Sequence, residues 1–183
     1  MVTGVNLVTV EQFEQFLARP ENRERVFELI DGEIVEKVPT REHAAIAFNF
    51  AYEFGRFLDE HDIGQGAVEA RHRPTDDPHN DRLPDVSIVL GNRPVERTGA
   101  ANYMPDVCVE IQSPADSLIA MRDKAQFYLR HGTKLVILVY TQQRILEVVT
   151  PGNAYLLTEA DTLEGGEILP GFSVPVSRLF RRL

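Results

Sequence analysis

The run from Arg82 to Gly132 decides the fold: RLPDVSIVL (82–90), PDVCVEIQSP (105–114), then ADSLIAMRDKAQFYLRHG (115–132). Two short β-rich segments each open with Pro-Asp, and the second leads directly into a lysine-bearing helix. Successive side chains of a strand alternate faces. Asp106, Cys108, Glu110 and Gln112 therefore share one side, and Val107, Val109 and Ile111 the other. A strand this apolar belongs inside a sheet, where a lone carboxylate is costly. Glu110 thus requires a cation or a strong donor, either a metal ion or the lysine of the next helix. On that helix Lys124 falls at the shoulder of an apolar stripe of Leu118, Met121, Ala125 and Tyr128. Its methylenes can lie on the core while its amine reaches the sheet edge. Arg122, Asp123 and Arg130 point outward.

Upstream, Thr9 and Gln12 form a capping box that opens a helix reaching about Arg19. RVFELI (25–30) and EIVEKV (33–38) flank Asp31-Gly32, the strongest hairpin signal in the chain. Glu28 shares a face with Val26 and Ile30, so it either sits at a solvent-wet edge or serves a site. Thr40 caps a helix over residues 41–61, with Ile46, Phe50, Phe54, Phe57 and Leu58 as its core stripe and His43 in its first turn. GAVEARHR (66–73) reads as a strand. TDDPHND (75–81) reads as a polar loop, His79, Asp77 and Asp81 being loop residues more than a metal cluster.

Downstream, Gly132 ends the lysine-bearing helix. KLVILVY (134–140) has the continuous apolarity of a strand buried on both faces. RILEVVT (144–150) and AYLLTE (154–159) make a hairpin around Pro151-Gly152-Asn153, and EILPGFSVPVSRLF (167–180) supplies a loop and a short terminal segment. No repeat or linker interrupts this order, which predicts one α/β domain over residues 1–183.

With 183 residues, 43% hydrophobic and 26% charged, the chain has the size and composition of a globular domain. No apolar run approaches the roughly 18 residues that span a membrane, and no basic region precedes an apolar core at the N-terminus. Cys108 is the only cysteine, which excludes an intrachain disulfide and a multi-cysteine zinc site. A buried core thiol and a reducing cytoplasm are expected. The net charge of −9, from 19 basic and 28 acidic residues, opposes general nucleic-acid binding. A local basic strip from Arg71, His72, Arg73 and Arg82, or from Arg178, Arg181 and Arg182, would have to stand out against scattered solvated charges.

Glu28, Asp85, Glu110 and Lys124 can share one sheet edge in this order of elements. Converging carboxylates suit Mg²⁺ or Mn²⁺, and a nearby lysine can hold a water or neutralise charge developing on a phosphate. Asp106 stands four residues from Glu110 on the same strand, roughly 13 Å along it, so Asp85 is the better partner.

The sequence resembles the Uma2 family of restriction endonuclease-like proteins in the PD-(D/E)XK nuclease superfamily. The resemblance rests on FELIDGEIVE with a following His43, on LPDVSIV, PDVCVEIQSPAD and KAQFY before HG, and on LEGGEILPGF. It implies a restriction endonuclease-like α/β fold, a central mixed sheet flanked by helices with a divalent-metal site. Glu28, Asp85 and Glu110 would be the acidic, metal-binding cluster, and Lys124 the superfamily lysine moved from strand to helix. Gln112 stands where the usual E-x-K has lysine, and the Trp-free TKLVILVY replaces a segment that typically contains Trp. Gln112 and His43 are accessory candidates.

The expected activity is Mg²⁺- or Mn²⁺-dependent hydrolysis of DNA phosphodiester bonds by a homodimer, one subunit for each strand of a duplex. The rival is a non-catalytic endonuclease-like module that keeps the fold as a binding or assembly surface. A third alternative is a structural α/β protein in which Glu110 and Lys124 are simply an ion pair.

Overall fold

A computed structural model describes residues 7–181 and residue 183. Arg182 and residues 1–6, part of the stretch in which no targeting signal is expected, lie outside the described residues. The chain forms two compact units: residues 1–38, 71–83 and 96–103 in the first, and 39–70, 84–95 and 104–183 in the second.

The first unit opens with helix α1 (Val10–Leu17). Thr9 accepts from the Gln12 amide while the Gln12 side chain accepts from the Thr9 amide, the capping box the sequence predicts. Strands β1 (Val26–Ile30) and β2 (Glu33–Lys37) pair antiparallel around Asp31 and Gly32. Both turn residues have positive φ, 48° and 82°, the conformation a two-residue hairpin demands and the reason Asp-Gly stands there. Phe13, Phe27 and Leu29 form a small core. Glu28 is 2% exposed, so the solvent-wet edge position is overturned.

The basic strip does not form in this unit. Arg71 and Arg73 close on the carboxylate of Asp81, itself fully buried, at 2.5 and 2.6 Å, and both also reach Glu14. His72 is buried with Nδ1 on the Tyr103 carbonyl, and Arg82 Nε donates to Asn80 Oδ1. These basic side chains are committed to carboxylates, an amide and a carbonyl within the fold.

The second unit begins with helix α2 (Arg41–His61), capped by Thr40. A six-stranded mixed sheet follows in the order β3 (Gly64–Val68), β4 (Val86–Leu90), β5 (Val107–Ile111), β6 (Leu135–Tyr140), β7 (Ile145–Thr150) and β8 (Asn153–Leu157). Only β5 and β6 are parallel. Their crossover is helix α3 (Leu118–Arg130), capped by Ser117 and closed by Gly132 at φ +100°. A two-stranded ribbon of β9 (Thr162–Glu164) and β10 (Ser173–Pro175) precedes the short helix α4 (Val176–Leu179).

The alternation along β5 sorts the core. Val107, Val109 and Ile111 join α2's Ile46, Phe50 and Phe54 on one face. Cys108 joins Met121, Ala125 and Tyr128 of α3 on the other. Every residue of β6 is buried, as its unbroken apolar run predicts. β3 stops at Val68, well short of the strand read through Arg73: Glu69 turns out of extended conformation at φ 49°. Leu118, expected in α3's apolar stripe, is 52% exposed, and Phe127 takes a buried place instead.

Candidate active site

Within the second unit, the polar centre forms where β4 begins and β5 ends. Val86 lies opposite Val109, so Asp85 and Glu110, one position beyond each, are cross-strand neighbours. The ladder shifts there, and the Asp85 N–H donates to the Val109 carbonyl at 3.1 Å. The Asp85 side chain turns back on the sheet: Oδ2 accepts from the Ile111 N–H at 2.7 Å and stands 3.1 Å from His43 Nε2. Both His43 and Asp85 are buried, and the first turn of α2 supplies the imidazole.

Glu110 is 1% exposed, and a charge so deeply placed must be compensated. Lys124 Nζ lies 3.2 Å from Oε2, and the Tyr128 hydroxyl donates to Oε1 at 2.6 Å. Lys124 and Tyr128 are one helical turn apart, so α3 presents both to the same carboxylate. Burial, and then the Glu110 carboxylate, pushes the nearby Cys108 thiol well above its usual pKa. The thiol is thus a neutral core group.

The remaining candidates have partners of their own. The Gln112 side chain donates to the Asp116 carbonyl at 2.9 Å and its N–H to the Val139 carbonyl, so it braces the β5–α3 turn. Asp106 holds the Leu90 N–H and Lys134, at the far end of β5. Glu28 belongs to the first unit, where its Oε1 accepts from the Leu83 N–H at 2.8 Å. Among the described residues no three His, Cys, Asp or Glu side chains are grouped to hold a metal ion.

Two features escape a reading of the sequence. Tyr128 counts there only as apolar, although its hydroxyl is what a buried carboxylate needs; its i+4 spacing from Lys124 is the available signal. Arg122 is solvent-exposed as expected, yet its Nε also binds Glu147 of β7 at 3.1 Å, and the Tyr140 hydroxyl donates to that same carboxylate at 2.5 Å. Burial, followed by the hydrogen bond to Glu147, raises the Tyr140 pKa to about 12.

A six-stranded mixed sheet with a helical crossover between its one parallel pair defines a mixed α/β class. The chain matches the family described as "Uma2: Putative restriction endonuclease" over residues 11–177, and it belongs to that family. Among solved structures it is similar to a "putative nuclease belonging to DUF820" from Anabaena variabilis ATCC 29413, with a TM-score of 0.79. The two share 22% identity over 94% of this chain and 97% of that one, a likeness of fold. No curated protein matches the sequence. No helix among the described residues is long and apolar enough to cross a membrane.

Proposed function

We propose that the protein is a metal-dependent nuclease that hydrolyses DNA phosphodiester bonds at the Asp85–Glu110 centre. The observation that carries this reading is the pairing of Glu110 with Lys124 and Tyr128 beside Asp85, at one end of two adjacent strands. Asp85 and Glu110 occupy adjacent cross-strand positions and carry hard oxygen donors, and Mg²⁺ or Mn²⁺ is commonly held by one or two such groups, with waters and substrate phosphate completing the shell. The donor chemistry therefore fits without a third protein ligand, and Asp85 and Glu110 would hold the ion. When bound, the ion supplies Lewis acidity toward the phosphate and a more acidic water.

The chain's own groups have distinct parts. His43 and the Ile111 N–H fix the Asp85 carboxylate. Tyr128 fixes Glu110. Lys124 brings positive charge, orienting the attacking water or neutralising charge that builds on the phosphoryl oxygens.

A plasmid-cleavage assay with Mg²⁺ or Mn²⁺ tests the reading. Wild type should nick DNA, Glu110→Ala should not, and Lys124→Ala should lose roughly a hundredfold in rate. Gln112→Ala should cost far less, because its amide is turned to Asp116. A wild type that leaves DNA intact, or a Lys124→Ala variant as fast as wild type beside an inactive Gln112→Ala, refutes the assignment. One observation favours the rival reading of a non-catalytic module: both Glu110 oxygens are already engaged within the fold. In that case divalent ions leave the melting temperature unchanged, whereas binding to the folded state raises it.

A further inference from the structure

The outward face of α2 is organised although the core makes no use of it. Arg41, Ala45, Phe48, Tyr52, Gly55 and Asp59 recur at three- and four-residue spacing and so form one stripe along the helix. Phe48 is 67% exposed and Tyr52 43%, an unusual investment of aromatic surface in solvent. Gly55 opens on empty space, since a Cβ there would meet nothing within 4 Å. Beside it a groove of about 580 Å³ runs between α2 and β3, the edge strand of the sheet. Among the described residues neither Arg41 nor Asp59 is ion-paired, whereas nearby Arg56 and Arg178 both engage Glu53.

We propose that this stripe is the two-fold interface of a homodimer, α2 crossing antiparallel to α2 of a second copy. The stripe is complementary to itself in one direction only. An axis level with residue 50 sets Arg41 against Asp59 of the second copy, Ala45 against Gly55, and Phe48 against Tyr52, each pair occurring twice. Opposite charges close both ends, the small residues let the backbones approach, and the aromatic rings meet in the middle. A parallel crossing would instead set Arg41 on Arg41 and Asp59 on Asp59. Tyr52 is held in place for this contact. Arg56 and Arg181 lie over its ring at 5.9 and 5.4 Å, and buried Asn49 ties the Leu179 and Arg181 carbonyls to the helix. A single helix crossing is small for a protein interface, so dissociation on the order of micromolar is expected.

Sedimentation equilibrium of the full chain tests this without reference to hydrolysis. The mass should rise with concentration from 20.7 kDa to twice that value. Arg41→Glu alone and Asp59→Arg alone should each hold the protein monomeric, and the two together should restore the dimer. Phe48→Ala should also be monomeric, with unchanged circular dichroism because the residue is exposed. A wild type monomeric at every concentration, or a dimer indifferent to both charge reversals, overturns the proposal. So does a monomer that binds a single-stranded oligonucleotide in metal-free buffer and loses that binding in Phe48→Ala/Tyr52→Ala; the stripe is then a stacking surface for nucleic acid.

Discussion

Replacing Tyr128 by Phe deletes one oxygen from the centre and leaves the ring in its place. Tyr128 is 1% exposed, and its hydroxyl gives Glu110 Oε1 a 2.6 Å bond, short as expected for a charged acceptor. Hydrogen bonds to charged groups contribute about 1.5–3 kcal/mol, and here the deleted donor leaves a buried carboxylate with less compensation. Lys124 remains, which argues against a larger loss. For a chain of this size each kcal/mol moves the melting temperature by roughly 2–4 °C, so a fall of about 3–12 °C is expected. The assay is thermal unfolding followed by circular dichroism, in EDTA so that bound ions do not contribute, with urea unfolding to verify an unchanged m-value. The double variant Glu110→Gln/Tyr128→Phe should show a coupling energy when set against the two single variants. A Tyr128→Phe protein that melts within about 1 °C of wild type would refute the claim that this hydroxyl compensates the buried charge.

Two further outcomes follow from groups outside the centre. Burial lowers the His72 pKa below its ordinary value, although Tyr103, Glu96 and Asp81 act in the opposite direction. The unfolded chain therefore binds a proton more readily, so this stability is complete above about pH 6.5 and is lost as pH falls through the depressed folded value. Urea midpoints from pH 7.5 down to pH 5.5 should fall less steeply in His72→Gln than in wild type, and identical slopes would exclude His72 as a source. Cys108, fully buried with its thiol pushed upward, should react with iodoacetamide only through unfolding. Its labelling rate should rise with urea in step with the unfolded fraction, and fast labelling of the native protein would contradict the packing.

The elements whose signals are local were legible in the sequence. Asp31-Gly32 sets a turn that needs two positive φ angles, Thr9 and Gln12 cap each other across three residues, and the apolar run of β6 admits only a doubly buried strand. The proximity of Lys124 to Glu110 was also legible, because helical phase and strand alternation place both on the same side of one crossover. The contact of His43 with Asp85 was not, since it joins a helix start to a strand start 42 positions later and no periodicity links them. Nor were the partners of Arg71, Arg73 and Arg122. A charged side chain looks the same in sequence whether it faces water or a buried carboxylate, and only the fold brings Asp81 or Glu147 within reach. β3 was overextended because VEARHR keeps strand-like alternation, while Glu69 leaves that geometry by a backbone turn that composition does not record.

A cation borne on a helix also has a different evolutionary latitude from one borne on a strand. On β5 a basic residue could face Glu110's side only at alternate positions of a pleat whose every other side chain is already committed to the core. On α3 the positions one turn either side of Lys124 point the same way, and Tyr128 already occupies one of them in contact with the same carboxylate. The charge could drift by a turn along α3, exchanging places with its neighbour over intermediate sequences, without disturbing a single strand of the sheet. Seen this way, the helix is a rail along which a cation facing Glu110 can be repositioned while the strand that bears the carboxylate stays fixed.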